Sequence, residues 1–358
     1  MKQERLQRIL ALMEEQHLSQ MLISDPCSIF YLTGKWILPG ERMLVLYITT
    51  SGTKTLFINE LFPLREDLGV DLVWLNDTQD VVSILASHLN PNEVLGVDKN
   101  WPAHFLLSLM DKHAAKAFVN GSAIVDTVRS VKDEEEKELM RIAGKLDDEA
   151  VTKLIGLVPK GYTEKEMAKI LTEFWHEKGA DGHSFDPIVA YGANGADPHH
   201  TTDNTALQPG DSVIIDIGCK YKSYCSDTTR TVFYKTATEE QKKVYHIVRD
   251  ANLKAIDKVK PGVPFCDIDA AARDYITEKG YGKYFTHRLG HSCGIEDHEV
   301  GDVSSANKHP IQVGQVFSIE PGIYLPGNFG VRIEDLVIAT EDGCELLNHT
   351  SKDLQIVE

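Results

Sequence analysis

Val213-Ile214-Ile215-Asp216-Ile217-Gly218-Cys219-Lys220-Tyr221-Lys222-Ser223-Tyr224-Cys225-Ser226-Asp227 reads as two β-like runs with an aspartate on each arm. Counting inward from Asp216 and Asp227, the midpoint falls between Tyr221 and Lys222, so a simple hairpin sets the two carboxylates directly opposite each other. Opposed residues on an antiparallel pair have Cβ atoms about 4.5–5.5 Å apart, and like charges at that separation destabilise a sheet. Asp216 also closes an apolar run, where an unpaired buried carboxylate is strongly unfavourable. A metal ion between the two is the simplest remedy.

The same device recurs a hundred residues on. Gly210-Asp211-Ser212-Val213-Ile214-Ile215-Asp216 is echoed by Gly314-Gln315-Val316-Phe317-Ser318-Ile319-Glu320, each a glycine, a strand and an acid six positions later. The midpoint of Glu320 and Glu334 is Gly327, in a Pro-Gly-Asn turn, so a second hairpin faces two more carboxylates. Helical candidates at 163–178 and 266–280 precede the two copies, which points to two related α/β halves about a pseudo-twofold. Four carboxylates can hold two divalent ions if some bridge, and oxygen-rich ligation favours hard ions such as Mn²⁺.

A histidine would complete the set. His183, His199, His200, His287, His291 and His298 all fall between the two halves. His183, His200 and His287 read as ordinary surface or hydrogen-bonded residues. His291 is singled out as the ligand because Gly290 and Gly294 flank its segment and permit close backbone approach.

Working outward, the 358 residues, 42% hydrophobic and 25% charged, suit two domains of unequal size with substantial cores. A net charge of −17 is a poor match to nucleic acid or an anionic membrane, neither of which is expected as a partner. No signal-peptide pattern and no apolar run of membrane-spanning length stands out, so a cytoplasmic setting is expected. The six cysteines are scattered without a C-x-x-C pair, which argues for reduced thiols rather than a zinc ribbon or disulfide framework.

Residues 1–17 show the apolar spacing of an amphipathic helix (Leu6, Ile9, Leu10, Met13). After it, strand-like runs at 21–23, 44–48, 55–58, 72–75 and 94–97 alternate with helical ones at 81–89 and 102–112, a small α/β domain without convergent polar residues. The aromatic stretch Ile29–Trp36 is assigned to the core. A charged helix starting at Asp133, its first turn acidic, marks the second domain, with helices expected at about 133–156 and 163–178. The boundary is placed within 122–132, giving domains 1–128 and 129–358.

Taken together, Phe185-Asp186-Pro187-Ile188-Val189-Ala190, Pro198-His199, Asp216-Ile217-Gly218, Ser226-Asp227-Thr228-Thr229-Arg230-Thr231, Gly290-His291, His298-Glu299, Glu320-Pro321-Gly322-Ile323-Tyr324 and Arg332-Ile333-Glu334-Asp335 resemble the motifs of the pita-bread metallopeptidases, over roughly residues 135–345. That group contains methionine aminopeptidase, aminopeptidase P and proline dipeptidase. The first domain, with Tyr31-Leu32-Thr33-Gly34, resembles the creatinase-type domain of the proline-specific members. The fold implied is α/β (α+β): a creatinase-like α/β domain followed by a pita-bread catalytic domain with duplicated halves.

The resemblance implies that Asp216 chelates one ion, His291 and Glu320 hold the other, and Asp227 and Glu334 bridge both. Two divalent ions are implied, Mn²⁺ first, with Co²⁺ or Zn²⁺ also compatible. It assigns His199, His298 and Glu320 to catalysis, and His199, His298 and Arg332 to substrate binding. Arg332 is open to two roles, holding a substrate carboxylate or anchoring a bridging ligand. The activity implied is hydrolysis of Xaa-Pro bonds in short peptides by a homodimer, dipeptides favoured. The alternatives are an aminopeptidase P acting on longer Xaa-Pro peptides and a catalytically silent peptide-binding relative. Between Asp302 and His309, where proline-specific relatives often offer an arginine for the substrate carboxylate, Lys308 is the only nearby cation.

Overall fold

Met1–Arg129 and Ser130–Glu358 form two separate units in the computed structural model, which describes residues 1–358. The first contains α1 (Gln3–Glu15), β1 (Gln20–Ile23), α2 (Pro26–Thr33), β2 (Val45–Thr49), β3 (Lys54–Asn59), β4 (Asp71–Leu75), α3 (Val81–Ala86), β5 (Val94–Val97), α4 (Ala103–Asp111), β6 (Ala117–Asn120) and α5 (Ser122–Ser130). Its strands make one mixed sheet in the order β4-β3-β2-β1-β5-β6. The apolar positions at 6, 9 and 13 of α1 are buried. The aromatic stretch belongs mostly to α2, whose Ile29, Tyr31 and Leu32 are buried. Asp25 caps α2 by accepting the Ser28 N–H, and Gly34 ends it in a left-handed conformation.

The second unit opens with α6 (Glu134–Leu157) and α7 (Glu164–Lys178), followed by β7 (Gly182–His183), β8 (Ile188–Tyr191), β9 (Ser212–Ile217), β10 (Cys219–Tyr221), β11 (Tyr224–Cys225) and β12 (Thr228–Tyr234). Then come α8 (Glu239–Lys258), α9 (Phe265–Glu278), β13 (Gly290–Ser292), β14 (Glu299–Val303), β15 (Val316–Ile319), β16 (Gly322–Leu325), β17 (Phe329–Arg332) and β18 (Glu334–Ala339). Capping boxes start three of these helices, from Asp133, Thr163 and Thr238.

The main sheet runs β14-β13-β15-β18-β12-β9-β8, so the two echoed strands, β9 and β15, flank a central β12–β18 pair from opposite sides. Helices α6 and α7 pack on Val213, Ile215 and Ile217 of β9, and α8 and α9 on Phe317 and Ile319 of β15. Strand alternation therefore turns Asp216 and Ser318 to the face away from the helices. Pairing carries that face across the sheet: Asp216 pairs with Thr229, Thr229 with Glu334, and Ser292 with Phe317, which sets His291 level with Ser318.

One expectation is corrected. Asp216 stands opposite Thr229, not Asp227, because Lys220 pairs with Cys225 and the turn falls on Lys222-Ser223. Both turn residues have positive φ, 47° and 74°, the twist that suits a two-residue hairpin. The one-position shift of the turn moves Asp227 two positions from the point opposite Asp216, and an even shift keeps both carboxylates on one face. The second hairpin closes on Gly327 as expected, with Gly322 paired to Arg332 and, in the same register, Ile319 to Asp335.

Candidate metal centre

Asp216 (β9), Asp227 (before β12), His291 (β13), Glu320 (after β15) and Glu334 (β18) line one cavity of about 870 Å³, together with His199, His298 and Arg332. The structure thus brings together all eight residues singled out in the sequence. Five are nearly inaccessible, Asp216 at 7% exposure, Asp227 at 4%, His291 and Arg332 at 2% and Glu334 at 1%.

Each side chain is held by its strand neighbours. Glu334 Oε2 accepts from the Thr229 hydroxyl at 2.7 Å. Glu320 Oε1 accepts from Ser318 Oγ at 3.3 Å, and Ser318 Oγ accepts the His291 N–H at 3.0 Å. His291 places Nδ1 3.3 Å from the Ser292 carbonyl, which fixes the proton on Nδ1 and leaves the Nε2 lone pair free. Nε2 lies 3.4 Å from Asp227 Oδ2 and 3.5 Å from Glu320 Oε1. The approach depends on Gly290, where a Cβ would run into the Ser318 carbonyl.

The electrostatics are those of a cation site. Asp216 Oδ1, Asp227 Oδ1 and Glu334 Oε1 are buried without hydrogen-bond partners. Burial, then the charge of Glu334, pushes Asp227 well above the usual carboxylate range; burial, then Glu320, does the same to Glu334. Burial lifts Glu320 to about 8 and lowers His291 to about 3, so the imidazole is neutral and competent as a ligand. Asp227, His291 and Glu334 bring donor atoms within 4.8 Å of one another. Orphaned carboxylate oxygens around one neutral imidazole fit hard divalent ions.

Arg332 is buried and committed inward. Its Nη2 pairs with Asp216 Oδ2, Nε donates to Thr229 Oγ1 at 3.2 Å, and Nη1 donates to the Tyr324 hydroxyl at 2.8 Å. The carboxylate it holds directly is that of Asp216, not one of the two expected bridging residues, and it reaches Glu334 only through Thr229. From Tyr324 a directed chain continues: its hydroxyl donates to His287 Nε2 at 2.9 Å, and His287 Nδ1 donates to the Arg288 carbonyl at 2.7 Å. Burial, reinforced by Arg332, lowers His287 to about 3, in keeping with that neutral tautomer.

His199 and His298 sit at the exposed rim of the cavity. The His298 ring lies over His291 with centroids 3.8 Å apart, and its Nδ1 accepts from Arg288 Nη2 at 3.1 Å, which leaves Nε2 as the N–H donor. The other histidines behave as read. His183 bonds to Thr172 and Trp175, and His200 donates to Glu164 at 2.8 Å, although His200 and His287 also line the cavity.

Sequence reasoning missed Asp297, Arg288 and Tyr324. Asp297 lines the cavity, is raised to about 7 by burial and the Asp216 charge, and leaves Oδ1 buried without a partner. Arg288, with Lys165 and Arg332, lines the cavity, and Lys308 does not. The position of Arg288 three residues before His291 is the signal the sequence offers for it.

Residues 138–341 match the sequence family described as Metallopeptidase family M24, and residues 5–131 match the Creatinase/Prolidase N-terminal domain. The chain is 33% identical over 352 residues to an uncharacterised peptidase of Staphylococcus aureus, covering 97% of this chain and 99% of the relative. It superposes on a dipeptidase from Mycobacterium ulcerans with a TM-score of 0.94 and 33% identity, covering 99% of this chain and 98% of that one. A prolidase from Thermococcus sibiricus superposes with a TM-score of 0.91 and 34% identity, covering 99% of both chains.

Proposed function

The chain belongs to metallopeptidase family M24, and from that premise we propose that it is a dinuclear exopeptidase that hydrolyses Xaa-Pro bonds, with Xaa-Pro dipeptides as its favoured substrates. The observation that carries the reading is the convergence of Asp216, Asp227, His291, Glu320 and Glu334 on one cavity with three orphaned carboxylate oxygens. The solved structures of a dipeptidase and a prolidase support the choice of substrate class.

In this reading Asp216 would hold one ion and His291 and Glu320 the other, with Asp227 and Glu334 shared between the two. When bound, two such ions supply Lewis acidity, activating water at neutral pH and polarising the scissile carbonyl. The remaining work falls to the chain. Glu320 takes the proton of the attacking water and passes it to the leaving nitrogen. His298, a donor at Nε2, and His199 hold the substrate and hydrogen-bond the developing oxyanion, a contribution that grows in the transition state. Arg332 keeps Asp216 in place. Proline's nitrogen carries no hydrogen in the peptide bond, so a site that reads ring shape and protonates that nitrogen cleaves a bond other peptidases leave.

The proposal extends to residues 1–128 as a creatinase-like domain and 129–358 as the catalytic one, to Mn²⁺ as the favoured ion, to a cytoplasmic setting and to a homodimer. No helix is long and apolar enough to cross a membrane. Enzyme reconstituted with Mn²⁺ and assayed in parallel on Xaa-Pro, Xaa-Pro-Yaa and Xaa-Ala peptides tests the specificity. Fastest cleavage of Xaa-Pro is expected. Preference for the tripeptide would replace the dipeptidase reading with aminopeptidase P, and equal cleavage of Xaa-Ala would end proline specificity.

A further inference from the structure

Lys132 and Glu299 form an ion pair at 2.9 Å with side chains only 1% and 6% exposed. They are not among the residues lining the cavity. Glu299 directly follows His298, and its carboxylate folds back on its own segment. Oε1 accepts the N–H of Ile295 at 3.0 Å and that of Glu296 at 3.5 Å, while Oε2 faces Lys132 Nζ. Gly294 starts the segment because a Cβ there would lie 2.6 Å from Glu299 Oε1. Residues 294–298, which carry Asp297 and His298, are thus wound around one carboxylate.

The other end of the pair is tied down by backbone. The Lys132 N–H donates to the Gly314 carbonyl at 2.9 Å, and Val131 bridges to Gln315, at the entry to the strand that ends beside Glu320. The wound segment also braces the first hairpin. The Gly294 carbonyl accepts the Cys225 N–H at 2.7 Å, two residues before Asp227.

We propose that Lys132 is a positioning residue, which through Glu299 fixes the segment that holds the His298 ring over His291. The proposal rests on the reading of His298 as a substrate contact. Removing the Lys132 ammonium lessens the compensation of the buried Glu299 carboxylate, and the protonation or shift this favours loosens its hold on the two amides. His298 would then sample positions about an ångström from its working one, a displacement able to cost about 100-fold in rate. The five proposed metal ligands lie outside residues 294–298, and the ion content of the variants checks that they keep their places.

The test uses Mn²⁺-loaded full-length enzyme and an Xaa-Pro dipeptide. Lys132→Met is expected to keep its ions and a KM within about threefold of wild type while kcat falls about 10- to 100-fold. Lys132→Arg should recover most of kcat. The double variant Lys132→Met/Glu299→Met replaces the pair by apolar side chains, which restores thermal stability, yet kcat should stay low because the bonds to Ile295 and Glu296 are gone. Full kcat in Lys132→Met, or kcat returning with stability in the double variant, overturns the proposal. If the single variant does not fold, the double variant decides. Ring ¹⁵N signals of His298, recorded in the diamagnetic Zn²⁺ form and identified by their loss in His298→Ala, give a readout independent of turnover. They should shift or broaden in Lys132→Met; unchanged signals overturn the positioning role even if wild type proves inactive on Xaa-Pro peptides, an outcome that would sink the substrate reading instead.

Discussion

Arg332, at the end of β17 in the two-stranded β16–β17 sheet, pairs its guanidinium with Asp216 on β9 of the main sheet, so a cation from the second hairpin neutralises and orients a carboxylate of the first. The same side chain reaches Thr229, which hydrogen-bonds Glu334. Arg332→Met should therefore weaken divalent-ion binding by about 10- to 100-fold, the usual cost of losing a partner that orients a ligand. Arg332→Lys should recover little, since one ammonium cannot reach three acceptors in fixed directions. Calorimetric Mn²⁺ titration of each purified variant checks this, and wild-type affinity in Arg332→Met contradicts it.

Gly290 lets the His291 strand approach Ser318 so closely that no side chain fits between them. Gly290→Ala is expected to push β13 outward, cost about 1–3 kcal/mol of stability and reduce the bound ions, with the ion ligated by His291 lost first. Metal content and thermal melting of the variant measure both. Two ions at full stability would mean that the approach is not needed.

Glu320 binds its proton more tightly in the folded chain than in the unfolded one, because burial raises it from 4.5 to about 8. Its contribution to the stability of metal-free protein is complete below the unfolded value and is lost as pH climbs through the folded one. Asp297, raised from 3.8 to about 7, acts in the same direction. The melting midpoint of metal-free protein should fall between about pH 5 and pH 8, while Mn²⁺ affinity rises over that range because binding displaces those protons. Melting curves with and without Mn²⁺ across the range check the sign. A metal-free midpoint that climbs with pH is incompatible with it.

Much of this architecture was legible because strand period and turn chemistry are local. The second hairpin's register follows from Gly327, whose φ of 71° only its own turn requires. In the first, Lys222 and Ser223 adopt positive φ without a glycine or asparagine to announce it, so the turn was placed one residue early. Helices α2 and α8 went unread although their ends carry signals, Asp25 and Gly34 for one and the Thr238/Gln241 capping box for the other. The four carboxylates stood out as opposed pairs at the ends of strands, and His291 by its flanking glycines. Asp297, Arg288 and Tyr324 lie in the same segments as His298, His291 and Glu320, but their contacts, with His298 for Arg288 and with Arg332 and His287 for Tyr324, form only when the chain is folded.

Of the five residues proposed to hold two ions, Asp216, Asp227, His291, Glu320 and Glu334, Asp227 is the one whose loss should affect both. Counting tightly bound divalent ions per chain by mass spectrometry, alongside turnover, in wild type and Asp227→Asn tests this directly. Two ions per wild-type chain are predicted, with fewer than one retained in the variant and turnover falling with them. A variant that keeps both ions and full turnover contradicts the bridging role of Asp227.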